Sequence, residues 1–260
     1  MAVIALTSAS GSPGVTTTAL AMALLWPRPV LLVEADPTGG SGLLAGYFRG
    51  TREYGTGLIE LALTSSSLND ALADAAQPIE GSQVWFVPGT RSHAQAAALG
   101  DLWEPLSEVL AELESNGQDV IVDAGRLGLV GSPEPLLASA DLTLLLTRTN
   151  LPALSALRSW AGTFQNGTFQ NDTAQQTGVL VVGDRQPYSS REVAKVLGLP
   201  VIAALADDPV SAAVFHRGVA PPKKVETGPL TRSLHATIAA IHSTVSAHRR
   251  ELLGALDYDQ

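Results

Sequence analysis

The stretch Ser8-Ala9-Ser10-Gly11-Ser12-Pro13-Gly14-Val15-Thr16-Thr17 sets two glycines, a proline and a row of hydroxyls between one apolar run and the next. Such a turn, leaving a strand and opening a helix, aims backbone N–H groups and the helix N-terminus at one spot. That arrangement holds a phosphate. Gly11 and Gly14 permit positive φ and close backbone approach, and Thr16 or Thr17 offers a hydroxyl to Mg2+. Three acids close other apolar runs: Glu34, Asp36 and Asp123. Ligand sites of open α/β sheets are built at strand carboxyl ends, so these acids are candidates for that chemistry, with solvated loop acids as the plain alternative.

One residue type is missing from this picture. Of the 16 basic residues only Lys195, Lys223 and Lys224 are lysines, so the first 194 positions contain none. A mechanism that needs an N-terminal lysine is excluded. An arginine from elsewhere in the chain could replace it, for example Arg28, Arg126 or Arg148, and nothing in the sequence positions one.

Other constellations are weaker. His93, His216, His235, His242 and His248 are scattered, and the seven-residue spacing of His235 and His242 brings no second ligand type, so no metal site is expected there. Ser10 and Ser12 lack the Gly-x-Ser-x-Gly elbow of a hydrolase. His248-Arg249-Arg250 is the densest basic cluster, but Glu251, Asp257 and Asp259 follow it, which argues against a membrane-binding tail. The tryptophans at 26, 85, 103 and 160 read as core.

The elements that must position these residues follow from periodicity. Continuous apolar runs at Val3–Leu6, Val30–Glu34, Gln83–Val87, Asp119–Val122, Leu142–Thr147, Val179–Val182 and Val201–Ala204 read as buried strands. Helical spacing appears at Thr16–Leu25, Leu58–Leu63, Leu68–Ala75, His93–Leu99, Leu102–Ser115, from Leu154, at Ser190–Leu197 and at Leu230–Leu253. The alternation predicts an α/β fold, a doubly wound and mostly parallel sheet with helices on both faces. No linker interrupts it, so residues 1–260 are expected to form one domain. The tandem GTFQN pentads, 162–166 and 167–171, read as a surface-loop duplication; glycosylation at Asn166 or Asn171 is not expected.

Composition bounds the partners. With 45% hydrophobic and 16% charged residues the chain is globular. Its formal net charge of −9 disfavours non-specific DNA binding. The absence of cysteine excludes disulfides and thiolate chemistry. The start Met-Ala-Val-Ile-Ala-Leu lacks a basic region, so no signal peptide is expected. No apolar run nears the roughly 20 residues of a membrane span, so stable membrane insertion is not expected and a cytoplasmic location is.

Taken in order, these motifs resemble the ParA/MinD family of deviant P-loop ATPases (SIMIBI class), whose loop reads Lys-Gly-Gly-x-Gly-Lys-Thr-Thr. Gly11, Gly14, Thr16 and Thr17 match; the second glycine falls on Ser12, the signature lysine on Ser10 and the P-loop lysine on Val15. Glu34-Ala35-Asp36-Pro37 resembles the family's Asp-x-Asp-Pro, and Asp119–Asp123 its Walker-B strand. Gly198–Ile202, then Asp207-Asp208-Pro209 and Arg217-Gly218, resemble its late strand, base-side loop and next helix. Gly183-Asp184 stands where the family usually has an adenine-contacting Asn. The likeness spans roughly residues 1–245.

The resemblance implies a nucleotide contacted by Gly11, Ser12, Gly14, Val15, Thr16, Thr17, Asp184 and Asp207, with Mg2+ held by Thr16, Asp36 and Asp123, and Asp36 as the catalytic carboxylate. It implies ATP or ADP as ligand, a face-to-face homodimer and a protein partner or cargo. The two missing lysines point to a degenerate member, a positioning or scaffold factor with nucleotide binding weakened or lost, with the pilus-localisation members (TadZ/CpaE-like) as analogy. The alternative is an active ATPase that binds ATP-Mg and partitions chromosome, plasmid or other cargo.

Overall fold

The computed structural model describes residues 2–10, 12–165 and 176–256. Gly11, most of the pentad repeat with Asn166 and Asn171, and the tail 257–260 therefore lie outside the described residues.

The chain runs β1 (Val3–Ser8), α1 (Val15–Leu25), β2 (Val30–Glu34), a π-helical turn (Leu43–Tyr47), α2 (Leu58–Ala62), α3 (Leu68–Ala75), β3 (Gln77–Pro78), β4 (Val84–Val87), α4 (His93–Ala96), α5 (Trp103–Glu112), β5 (Asp119–Arg126), α6 (Glu134–Ser139), β6 (Leu142–Arg148), α7 (Leu151–Gln165), β7 (Gln176–Val182), α8 (Ser190–Leu197), β8 (Val201–Leu205), α9 (Pro209–Arg217) and α10 (Pro229–Leu256). The strands form one sheet in the order β3-β4-β2-β5-β1-β6-β7-β8. Every pairing is parallel except the short β3–β4 edge. This is the doubly wound α/β architecture expected from the alternating runs.

Both faces of the sheet are covered, which is why its central strands are buried at nearly every position rather than at alternate ones. Val3, Ala5, Leu31, Val33, Val120 and Val122 point into one core, closed by α2, α3, α5, α6, α7 and α8. Their neighbours Ile4, Leu6, Val30, Leu32 and Ile121 point into the other, closed by α1, α9, α10 and the π-helical turn. The period-two pleat thus divides each strand between two cores. Helix α1 is apolar nearly all round because it lies under α9 and α10 as well as on the sheet.

Several expectations shift at their edges. β1 continues through Thr7 and Ser8, because both are buried and Thr7 donates to the Gly125 carbonyl. The helices expected at 93–99 and 102–115 pass into 3-10 turns, at Ala97–Leu102 and Leu113–Asn116. Helix α6, strand β3 and the π-helical turn have no counterpart in the sequence reading.

Candidate functional site

Register carries the candidate residues to one edge. Central β1 pairs with β5 on one side and β6 on the other, with Leu6 opposite Asp123 and Ser8 opposite Leu146. β2 pairs with β5 so that Glu34 lies opposite Asp123. The chain reverses winding direction around β1, and the carboxyl ends there are where an open sheet opens a crevice.

The turn after β1 is the candidate anion cradle, and two of its described residues have left-handed backbones. Gly14 has φ 99° and precedes Val15, the first residue of α1; the Thr18 amide donates to the Gly14 carbonyl at 2.8 Å. Ser12 has φ 57°, a left-handed conformation rare for a residue with a side chain. It stands where the resemblance has a glycine, the residue that adopts this conformation without strain. Val15 is different. It is 7% exposed and belongs to the α1 core, and no acidic or basic residue occupies the first turn of α1.

Behind the cradle lie the acids. Glu34 is buried and accepts hydrogen bonds from the Ser41 hydroxyl, the Leu43 amide (3.0 Å) and the Gly89 amide (3.5 Å). Burial pushes its carboxyl above the usual range against those hydrogen bonds. Asp123 is 1% exposed, and its carboxyl is pushed up to about 7. Burial is the main cause; the Thr16 hydroxyl bonded to it opposes, and the charges of Asp36 and Glu34 add. Asp123 also accepts from the Gly125 amide at 3.1 Å. Asp36 folds over Gly125: a β-carbon there would overlap the Asp36 carboxylate, and the glycine holds φ 59°. Asp36 accepts from the Thr38 amide at 2.9 Å.

Thr16, Asp36 and Asp123 are therefore brought together. Their donor atoms are hard oxygens, as Mg2+ prefers, and a Mg2+ site typically uses one or two carboxylates plus substrate phosphates. Among the described residues no three His, Asp or Glu converge as an all-protein cage. The donor set fits Mg2+ bound together with a phosphate.

Beside the cradle is a cavity of about 370 Å3. Ser12, Gly14 and Thr17 form one wall and Leu205, Asp207 and Pro209 another. Asp207 thus faces it, and Asp208 caps α9, accepting from the Ser211 amide at 3.1 Å. Asp184 is not among the lining residues. It is exposed and accepts from the amide (2.6 Å) and hydroxyl (2.7 Å) of Ser190, which hold its carboxyl below the usual range. Val182 lines the cavity instead.

The three candidate arginines separate. Arg28 sits at the opposite edge of the sheet, donating to the Gly117 carbonyl and 3.9 Å from Asp119 at the start of β5. Arg126 ends β5, exposed. Arg148 ends β6 and lines the cavity. Residues that sequence reasoning left out are Ser41 and Leu43, which hold Glu34, and Gly125, which admits Asp36. Of these only Gly125, two residues past a strand-end acid, carried a usable signal.

No protein-family model matches the chain, and no curated protein matches it significantly in sequence. Solved structures do match in fold. The cell division ATPase MinD of Pyrococcus furiosus superposes with a TM-score of 0.72 at 17% identity, over 93% of this chain and 98% of that one. The apo McdA of Cyanothece gives 0.72 at 18%, over 92% and 98%. The septum site-determining protein MinD of Pyrococcus horikoshii, complexed with Mg-ADP, gives 0.64 at 17%, over 92% and 95%. The chain shares its fold with these MinD and McdA structures across nearly its whole length.

Proposed function

We propose that this chain is a degenerate MinD/ParA-type positioning or scaffold protein in which nucleotide binding is weakened and turnover lost. It acts in the cytoplasm as a homodimer that holds a protein partner or cargo. The observation that carries the reading is Val15: the position that opens α1 holds a buried aliphatic side chain instead of a cation.

The consequence is electrostatic. A phosphate-transfer site works by positioning and by charge neutralisation. Here the cradle keeps the helix N-terminus and the N–H groups around Gly14, and the Thr16 and Thr17 hydroxyls. Mg2+, which Thr16, Asp36 and Asp123 would hold, supplies positive charge when bound. The lysine's share is absent; losing one preorganised donor of this kind costs about 3–4 kcal/mol of transition-state stabilisation. Meanwhile the buried carboxyls of Glu34 and Asp123 shift toward their neutral forms, which relieves the crowding of acids without a cation.

The P. horikoshii MinD, solved with Mg-ADP, supports ADP and ATP as the ligands to test. Titration calorimetry of the chain with Mg-ATP and Mg-ADP is expected to give weak binding, and Val15→Lys to tighten it at least tenfold, about 1.4 kcal/mol. An unchanged affinity in a folded Val15→Lys protein would contradict the reading. The second reading, an active ATPase, draws on the intact set of Thr16, Asp36 and Asp123; it requires wild-type turnover that Asp36→Ala abolishes.

A further inference from the structure

We propose that Arg148 is the phosphate-binding cation of the cavity beside the cradle, and that Asp207 occupies it until a nucleotide phosphate takes its place. This rests on the reading that the cavity still admits nucleotide weakly.

Position comes from the sheet. β1 and β6 pair in parallel with Ser8 opposite Leu146. β6 runs two residues further, so Arg148 stands level with the turn that follows Ser8. On its other side Arg148 lies opposite Val182 of β7. Both Arg148 and Val182 line the cavity together with Ser12 and Gly14. An arginine is thus delivered to a phosphate cradle that has no lysine.

Its present partner is a stand-in for phosphate. Arg148 Nη1 donates to Asp207 Oδ2 at 2.8 Å, and Nη2 donates to Oδ1 at 3.4 Å. The guanidinium fork presents two parallel donors to two oxygens, the geometry with which it also grips a phosphate. The other charged groups on the cavity are engaged. Asp208 accepts from the Ser211 amide and hydroxyl, and His216 Nδ1 lies 2.9 Å from the Ala212 carbonyl of its own helix. Asp207 alone competes for Arg148.

The competition is winnable. The Arg148 side chain is 40% exposed and that of Asp207 26%. Ion pairs that water reaches are weak, so a phosphate with more charge than a carboxylate can displace Asp207. The lock then lowers the affinity severalfold while the cavity persists: the fork is spent on an internal acid.

Calorimetry on the full chain tests this, with Mg-ADP as the phosphate-bearing probe and adenosine as the probe without phosphate. Asp207→Asn should tighten Mg-ADP about three- to fivefold, the scale of a water-exposed ion pair, and leave adenosine unchanged. Arg148→Gln should loosen Mg-ADP, and the double variant should match Arg148→Gln. Thermal melts of each variant verify folding, which an exposed pair leaves intact. A Mg-ADP affinity unmoved by Asp207→Asn, or a gain that survives in the double variant, overturns the proposal. If Val15→Lys binds Mg-ADP while Asp207→Asn gains nothing, Arg148 is not the cation and the weakened-site reading stands. If the wild type hydrolyses ATP rapidly, the weakened-site reading fails and the Arg148 comparison is still decided by the same variants. Binding by none of them overturns both.

Discussion

Asp123→Asn is expected to stabilise the nucleotide-free chain above neutral pH. Asp123 is fully enclosed within β5, which runs on to Arg126 and does not end at Asp123 as its apolar run suggested, and its carboxyl is pushed up from 3.8 to about 7, mainly by burial. A group whose folded pKa is raised binds more protons folded than unfolded. Its contribution is present below 3.8 and is lost as pH rises from 3.8 through about 7. At 1.36 kcal/mol per pH unit the whole rise corresponds to about 4 kcal/mol, an upper-end figure because the neighbouring acids Asp36 and Glu34 share the effect. An asparagine keeps an oxygen to accept from the Gly125 amide, now at 3.1 Å, and from the Thr16 hydroxyl, and it carries no charge to desolvate. Urea denaturation at pH 5 and pH 8.5, on wild type and variant, gives the difference directly. The variant should gain about 2–4 kcal/mol on wild type at pH 8.5 and a little over a third of that, about 1–1.5 kcal/mol, at pH 5, because the loss begins at 3.8. Taking the difference removes the contributions of titrating groups that do not interact with Asp123. A variant less stable than wild type at pH 8.5, or a gain that does not grow with pH, would refute the account of an uncompensated buried acid.

Other perturbations read other parts of the site. Gly125→Ala forces a side chain into left-handed φ and into the Asp36 carboxylate; it should cost about 1–3 kcal/mol in urea denaturation, and Asp36→Ala in the same background should recover part of that loss. His242, tilted 4.8 Å from the Trp26 ring, has its pKa lowered by burial. Its contribution is therefore present above the ordinary histidine value and lost as pH falls through 6.5 toward the lowered folded value. His242→Phe should remove this acid-side loss, seen as melting temperatures that diverge from wild type below pH 6.5; parallel curves would contradict it.

The fold was legible because burial on both faces writes strands as unbroken apolar runs. Val30–Glu34, Leu68–Ala75 and Ser190–Leu197 fall where their patterns place them. What escaped has local reasons. Glu134–Ser139 is a six-residue helix that opens after Pro133, with a second proline, Pro135, in its first turn masking the helical pattern. β3 is two residues, one of them a proline, read only through its pairing with β4. The π-helical turn at Leu43–Tyr47 is set by tertiary contacts: the Leu43 amide bonds Glu34, and Gly46 lies against the His216 carbonyl.

The site was legible to a different degree. The turn, Thr16 and the acids were singled out by residue type and position; the structure sets the Thr16 hydroxyl on Asp123 and Asp36 against Gly125, with Asp123 inside β5 and not at its end. Asp184 did not come to the cavity because Ser190 offers its carboxylate two local donors. Arg148 and Asp207 are 59 positions apart; only the sheet, in which β6, β7 and β8 run parallel side by side, brings them together. No local sequence pattern encodes that.

The central claim is that the turn before α1 has lost the charge needed for turnover. The direct measurement is steady-state phosphate release from Mg-ATP by the purified wild-type chain, with Asp36→Ala as control. The account predicts release that equals the Asp36→Ala background. Turnover well above that background, abolished by Asp36→Ala, would contradict it and establish an ATPase that works without the lysine.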